Sequence, residues 1–150
     1  MKRQVPILLL KLLEGWLPFC CTCIRWSSGF SVFFRLGVGV RQCSSLAPVL
    51  FSIYVNDVVS DSEVANLGYI FAFADDILLV SLSVVSLQSM LDTVEKRLNA
   101  LNLYINASKS HCLRIGPRYR VECATLTTND MDQLAWSPQV RYLGVWISSS

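Results

Sequence analysis

The spacing of apolar positions divides the chain into a small number of elements. Leu8 to Ile24 is an apolar run of helical character, broken or kinked near Gly15 and Pro18. Phe30 to Leu36 predicts a strand, and Gly37-Val38-Gly39-Val40 a flexible connection. Ser44 or Ser45 is suited to cap a second helix that tolerates Pro48 in its first turn. That helix carries Leu46, Val49, Leu50, Ile53 and Tyr54 and fades near Asp57 to Ser60. Two apolar runs, Tyr69 to Ala72 and Ile77 to Val80, then flank Phe73-Ala74-Asp75-Asp76 and predict an antiparallel hairpin.

The clearest periodicity follows. Leu87, Met90, Leu91, Val94, Leu98 and Leu101 mark one face of a helix ending near Asn102, with Asp92 and Lys96 four apart on the other face. Short strand candidates come after it: Leu103 to Asn106, Cys112 to Ile115, Val121 to Leu126 and Tyr142 to Ile147. Gly116-Pro117 and Ser137-Pro138 break them. The order helix, strand, helix, hairpin, helix, small strands is an α+β pattern with an antiparallel hairpin at its centre.

Composition changes this picture in one respect. Of the 150 residues, 53% are hydrophobic and only 16% charged, low for a domain of this size. Such a chain either meets a membrane or leaves uncovered a surface that another piece of protein should cover. Lys11, Glu14 and Arg25 interrupt the apolar N-terminus. No run supplies the ~18 consecutive apolar residues of a membrane span, and no clean cleavage site follows Lys2-Arg3 and the apolar run. The composition therefore favours an uncovered surface, and poor solubility is expected.

Charge is uneven. Residues 1–60 carry six basic and two acidic side chains, residues 61–100 two and six, and residues 101–150 five and three. An acidic centre between basic flanks suits a cation site bordered by polyanion contacts, and equally an ordinary fluctuation. The six cysteines, at 20, 21, 23, 43, 112 and 123, show no second pair at zinc-ligand spacing, and His111 is the only histidine. They read as small buried apolar residues of an intracellular chain, in cytoplasm or nucleus.

The adjacent carboxylates Asp75 and Asp76 carry the candidate chemistry. At a hairpin tip they repel each other, and such a pair is held by a cation or by plain exposure to water. Two Asp in a turn also suit the turn itself, since Asp tolerates left-handed backbone.

Neighbouring motifs bear on that choice. Gly39-Val40-Arg41-Gln42-Cys43-Ser44-Ser45-Leu46-Ala47-Pro48-Val49-Leu50-Phe51, with Ile53-Tyr54 and Asp57 after it, resembles motif B of reverse transcriptases. Phe73-Ala74-Asp75-Asp76 resembles motif C. Leu101-Asn102-Leu103, Asn106 and Lys109-Ser110 resemble motif D. Arg141-Tyr142-Leu143-Gly144-Val145-Trp146-Ile147 resembles the corresponding segment of non-LTR, LINE-type retrotransposon polymerases. Four motifs in order, over residues 39–147, cover nearly the whole chain.

The resemblance implies a partial polymerase palm, motifs B to E, and an RNA-directed DNA polymerase that moves nucleotides from dNTPs to a DNA primer on an RNA template. It implies Mg²⁺ or Mn²⁺ at Asp75 and Asp76, with Asp75 the direct ligand. It implies Gly39, Arg41 and Gln42 at the incoming nucleotide and template, and Lys109 as counter-charge or proton donor to pyrophosphate. Arg114, Arg118, Tyr119 and Arg120 then either track the nucleic-acid backbone or form a solvated basic loop.

Two departures qualify the activity. Nucleotidyl transfer with two metals needs a further carboxylate from motif A, and residues 1–56 contain only Glu14, in a segment unlike that motif. Cys43 also stands where the family has glycine, a change that costs about 1 kcal/mol or more if the backbone must be left-handed. Residues 1–150 are thus expected to be a domain fragment without fingers, motif A or thumb, inactive by itself and needing the missing part of the polymerase. The competing expectations are a non-catalytic remnant of a decayed element and a small membrane-associated protein.

Overall fold

The computed structural model describes residues 5–37, 45–60 and 66–149. The chain divides after Ala47 into two units, taken in turn.

The first unit contains α1 (Ile7–Trp16) and a 3-10 helix (Leu17–Phe19). Four two-residue strands follow: β1 (Cys21–Thr22), β2 (Arg25–Trp26), β3 (Gly29–Phe30) and β4 (Phe34–Arg35). The helical reading of Leu8 to Ile24 is thus corrected. Pro18 lacks the N–H that an α-helix would need there, so the helix tightens and ends, and the chain turns extended by Cys21. The expected strand Phe30 to Leu36 is also split. β1 pairs with β4 and β2 with β3, all antiparallel, so the segment folds back as a hairpin. None of the described residues of this unit is buried. Leu8, Phe19, Trp26, Phe30, Val32 and Phe33 are among its exposed large apolar side chains.

The second unit holds the core. It comprises α2 (Ala47–Val59), the β5 (Tyr69–Phe73) and β6 (Asp76–Val80) hairpin, and α3 (Val84–Ala100). A 3-10 helix (Ala107–Lys109) leads to β7 (His111–Cys112), β8 (Leu126–Thr127) and β9 (Gln133–Trp136). β10 (Gln139–Tyr142) and β11 (Val145–Ser148) close the unit.

α3 organises this unit. Its periodic face buries Met90, Leu91, Val94 and Leu98, each contributing roughly 1.5–3 kcal/mol on removal from water. One side, Met90, Val94 and Leu98 with Val58 of α2, receives Ile70, Ile77 and Leu79 of the hairpin. The other side, Leu91, joins Cys112, Leu126 and Leu134 of the three-stranded sheet β7-β9-β8. Leu79 and Ile105 touch both clusters.

The ends of α3 are set by local chemistry. Ser83, in extended backbone, caps the start by accepting from the Ser86 N–H at 3.0 Å. At the other end Leu103 N–H reaches Leu98 O at 2.9 Å and Asn102 N–H reaches Asn99 O at 3.0 Å, with Asn102 at φ +54°. This is a Schellman stop, and Leu103 packs on the cluster that holds Leu98. Asn is among the few side chains at ease in left-handed backbone.

Several short-strand expectations need correction. Leu103 to Asn106 forms no strand, because it leaves the helix stop for the 3-10 turn capped by Asn106. Pairing in the other candidates is confined to His111–Cys112 and Leu126–Thr127. Tyr142 to Ile147 is a hairpin turn and the strand after it. Tyr142 pairs with Val145, leaving Leu143 at φ +48° and Gly144 at φ +84° as a two-residue loop.

Among the described cysteines the expected burial holds for Cys112 and not for the other four. Cys112 is buried, Cys20, Cys23 and Cys123 are half-buried, and Cys21 is exposed. Burial, with a smaller contribution from Cys123, pushes the Cys112 thiol up to about 11. No described helix is long and apolar enough to cross a membrane.

Candidate functional site: the Asp75–Asp76 hairpin

β5 and β6 pair in continuous antiparallel register from Tyr69↔Val80 to Phe73↔Asp76. Only Ala74 and Asp75 remain in the turn. Ala74 takes φ +52°, a conformation that costs a residue with a Cβ roughly 1–2 kcal/mol.

Alternation sorts the side chains of the hairpin. The partners Ile70 and Leu79 lie on the face that meets the core, together with Ile77. Tyr69, Phe71, Phe73, Leu78, Val80 and Asp76 share the opposite face by register. Tyr69 is 72%, Phe71 53% and Phe73 64% exposed. The hairpin is a two-stranded sheet among the described residues, so both its edges are open. Exposed large apolar side chains also occur in the first unit.

The base of the hairpin is held tightly. Gly68 packs so close to the Val80 carbonyl oxygen and the Met90 sulfur that a Cβ there would collide with both. Ser81 Oγ donates to Leu67 O at 2.9 Å. The tip projects from this anchored base, with Asp75 and Asp76 both exposed. Among the described residues, no group of three or more His, Cys, Asp or Glu stands together as a metal site.

Lys109 ends the 3-10 helix and is exposed. Its N–H donates to Asn106 O at 3.1 Å and to the Asn106 side-chain oxygen at 3.3 Å, and Ser108 Oγ donates to that same oxygen at 2.7 Å. The motif around Lys109 is therefore two successive caps, Asn102 and Asn106, that fix where the lysine leaves the backbone. Among the described residues no ion pair or hydrogen bond joins Lys109 to Asp75 or Asp76. A recess of ≈ 650 Å³ between Tyr104–Ser108 and Asp132–Gln133 lacks all three. Gly39, Arg41, Gln42 and Cys43 lie outside the described residues.

Two polar side chains of α3, unmarked by any sequence motif, tie the helix to β8 and the turn after it. Gln88 donates to Thr127 O at 2.7 Å and accepts from Thr127 N–H at 3.0 Å. Glu95, 3% exposed, accepts from Asn129 N–H at 2.8 Å. Both lie close to the apolar stripe, one position before Ser89-Met90 and one after Val94, so polar identity hides a core-side position. Asp92, expected beside Lys96, instead accepts from Gln88 at 2.6 Å.

The arrangement thus offers two exposed carboxylates at a two-residue turn over an apolar strand face. The family model described as reverse transcriptase (RNA-dependent DNA polymerase) matches residues 6–147. The chain belongs to the reverse transcriptase family. It is 31% identical, over 127 residues, to the retrovirus-related Pol polyprotein from type-1 retrotransposable element R2 of Nasonia vitripennis. The match covers 74% of this chain and 12% of that protein. The chain is a reverse transcriptase domain fragment homologous to a non-LTR retrotransposon Pol, and its mixed helices and small antiparallel sheets are the α+β architecture expected of a partial domain. Reverse transcriptases use divalent metal ions and act on RNA template, primer and dNTPs.

Proposed function

We propose that β5 and β6 form the metal-holding hairpin of a polymerase palm, and that residues 1–150 carry one half of a nucleotidyl-transfer site. The observation that supports this most is the tip itself. Asp75 and Asp76 sit side by side in and beside a two-residue turn, exposed, on a hairpin whose base is locked by Gly68 against Val80 and Met90.

The donor set fits Mg²⁺ or Mn²⁺. Two carboxylates leave most of the coordination sphere to water and triphosphate oxygens, as Mg²⁺ prefers. When bound, such ions stabilise the attacking and leaving oxygens of an in-line displacement at phosphorus. Asp75, in the turn, is the direct ligand. Asp76, at the first position of β6, shares the open face with Phe73 and adds negative potential beside it.

Lys109 supplies positive charge or a proton to the departing pyrophosphate. Its placement by two Asn caps gives it a defined exit point from the backbone. Arg41 and Gln42, with Gly39 allowing close backbone approach, meet the incoming nucleotide and template.

The residues upstream of Asp57 offer Glu14 as their only carboxylate, and Glu14 lies in α1. In this reading the third ligand is supplied by other polypeptide, which packs on the exposed face of Tyr69, Phe71 and Phe73. The chain alone does not polymerise. Primer extension on an RNA template with Mg²⁺ and dNTPs should give no product. Extension that Asp75→Ala abolishes would sink the half-site reading.

A further inference from the structure

The loop after β7 holds the densest positive charge of the second unit. From Cys112 to Val121 there are three arginines, Arg114, Arg118 and Arg120, and no Asp or Glu. None of them is needed for the half-site above.

The loop has a built shape. Gly116 takes φ +116° and Pro117 follows it, so the chain reverses on a residue without a Cβ and continues from a fixed φ. Tyr119 N–H donates to Gly116 O at 3.0 Å and Val121 N–H to Arg118 O at 3.1 Å, two consecutive turns. Arg114 closes the neck from the other side, with Nη1 3.1 Å from Val121 O and 3.1 Å from Cys123 Sγ. Arg120 lies over the Tyr119 ring, 5.2 Å from its centre, and its Nε donates to the Tyr119 hydroxyl at 2.9 Å. Arg118 at the tip is exposed.

These contacts bear on the choice between a solvated basic loop and a binding one. A merely solvated arginine keeps its rotamer freedom, and fixing it costs up to ~2 kcal/mol. Here Arg114 and Arg120 are already held by neutral groups, a carbonyl, a thiol and a phenol, so their charge is uncompensated. Glu122 is the nearest acid in sequence, and no ion pair joins it to the three arginines among the described residues. Two guanidinium groups without counter-charge, Arg120 held at Tyr119 and Arg118 exposed at the tip, match a polyanion with regularly spaced single charges.

We propose that the Arg114–Arg120 loop grips the sugar–phosphate backbone of the primer–template duplex, with Arg118 and Arg120 making the phosphate contacts and Arg114 holding the loop's neck. This assignment rests on the reverse transcriptase reading, which supplies the duplex. It reads no sequence, because Arg118 and Arg120 lie in a loop and neither is carried by a helix or strand that could enter a groove.

The test is binding of the full chain to short RNA–DNA hybrid duplexes of unrelated sequence across a salt series. Arg118→Gln with Arg120→Gln should weaken binding roughly tenfold near 0.1 M salt and make the log–log salt slope shallower by about 2, equally for all duplexes. Arg118→Lys with Arg120→Lys should keep the slope, since lysine still neutralises a phosphate. Unchanged affinity and slope in the glutamine variant would overturn the proposal, as would a wild-type chain that binds no duplex at low salt. Metal binding at Asp75, measured separately without nucleic acid, reports on the half-site reading alone.

Discussion

Phe73 and Asp76 form the closing pair of the β5–β6 hairpin, and they lie on the face opposite the Ile70–Leu79 pair that meets the core. An aromatic and a carboxylate thus share one exposed surface one step below the turn. The turn between them forces Ala74 to φ +52°. Glycine at this position removes the Cβ clash but leaves a looser unfolded chain. Ala74→Gly should therefore stabilise the chain by about 0.5 kcal/mol, read as a higher denaturant midpoint with an unchanged slope.

Gly68 has the opposite requirement. Its Cα faces the Val80 carbonyl oxygen and the Met90 sulfur, and the carbonyl is backbone that cannot step aside. Gly68→Ala should destabilise by about 2–3 kcal/mol or more, because it pushes β6 away from α3 at the fully buried Met90. Hydrogen exchange should show the loss first in the β5–β6 amides.

Cys112 gives the core an alkaline limit. Its thiol is raised from the usual 9.0 to about 11 in the folded chain, first by burial and then by Cys123. Below pH 9 both folded and unfolded chains keep the proton, and the stability is fully present. As pH rises toward 11 the unfolded chain releases it first, so stability falls through that window. Thermal melts between pH 8.5 and pH 11 (about the range over which the two states differ) should show a steeper decline for wild type than for Cys112→Ala, whatever the variant's absolute stability.

How much of this is legible in the sequence depends on how each element gains its stability. α3 is readable because its apolar stripe is wide and regular, and all four of its buried apolar residues are on that stripe. The hairpin is readable because two apolar runs flank a two-residue turn. The first unit is not. Its strands are two residues long and none of its described side chains is buried, so no burial pattern marks their ends. The β7-β9-β8 sheet is blurred for a related reason: β7 and β9 are parallel and distant in sequence, with the arginine loop between them, and no local period announces such a pairing.

The candidate site shows the same division. Asp75 and Asp76 stand out by their chemistry, and the fold places them together at an exposed tip. The motif of Leu101, Asn102, Leu103, Asn106 and Lys109 is recognisable as a string, and the structure gives it a physical content: a Schellman stop and a 3-10 cap. Gln88 and Glu95 escape notice because they are polar residues that pack and tether on the core side of a helix.

In the proposed site the Asp75–Asp76 turn holds a divalent cation through Asp75. Paramagnetic broadening of backbone amide signals by Mn²⁺ in the full chain tests it without requiring catalysis. Phe73 to Ile77 should broaden first and selectively in the wild type, and Asp75→Asn should remove that selectivity while leaving the rest of the spectrum in place. Equal broadening at Asp75 and at unrelated exposed acids such as Asp130, or broadening at the turn that persists in Asp75→Asn, would contradict the account.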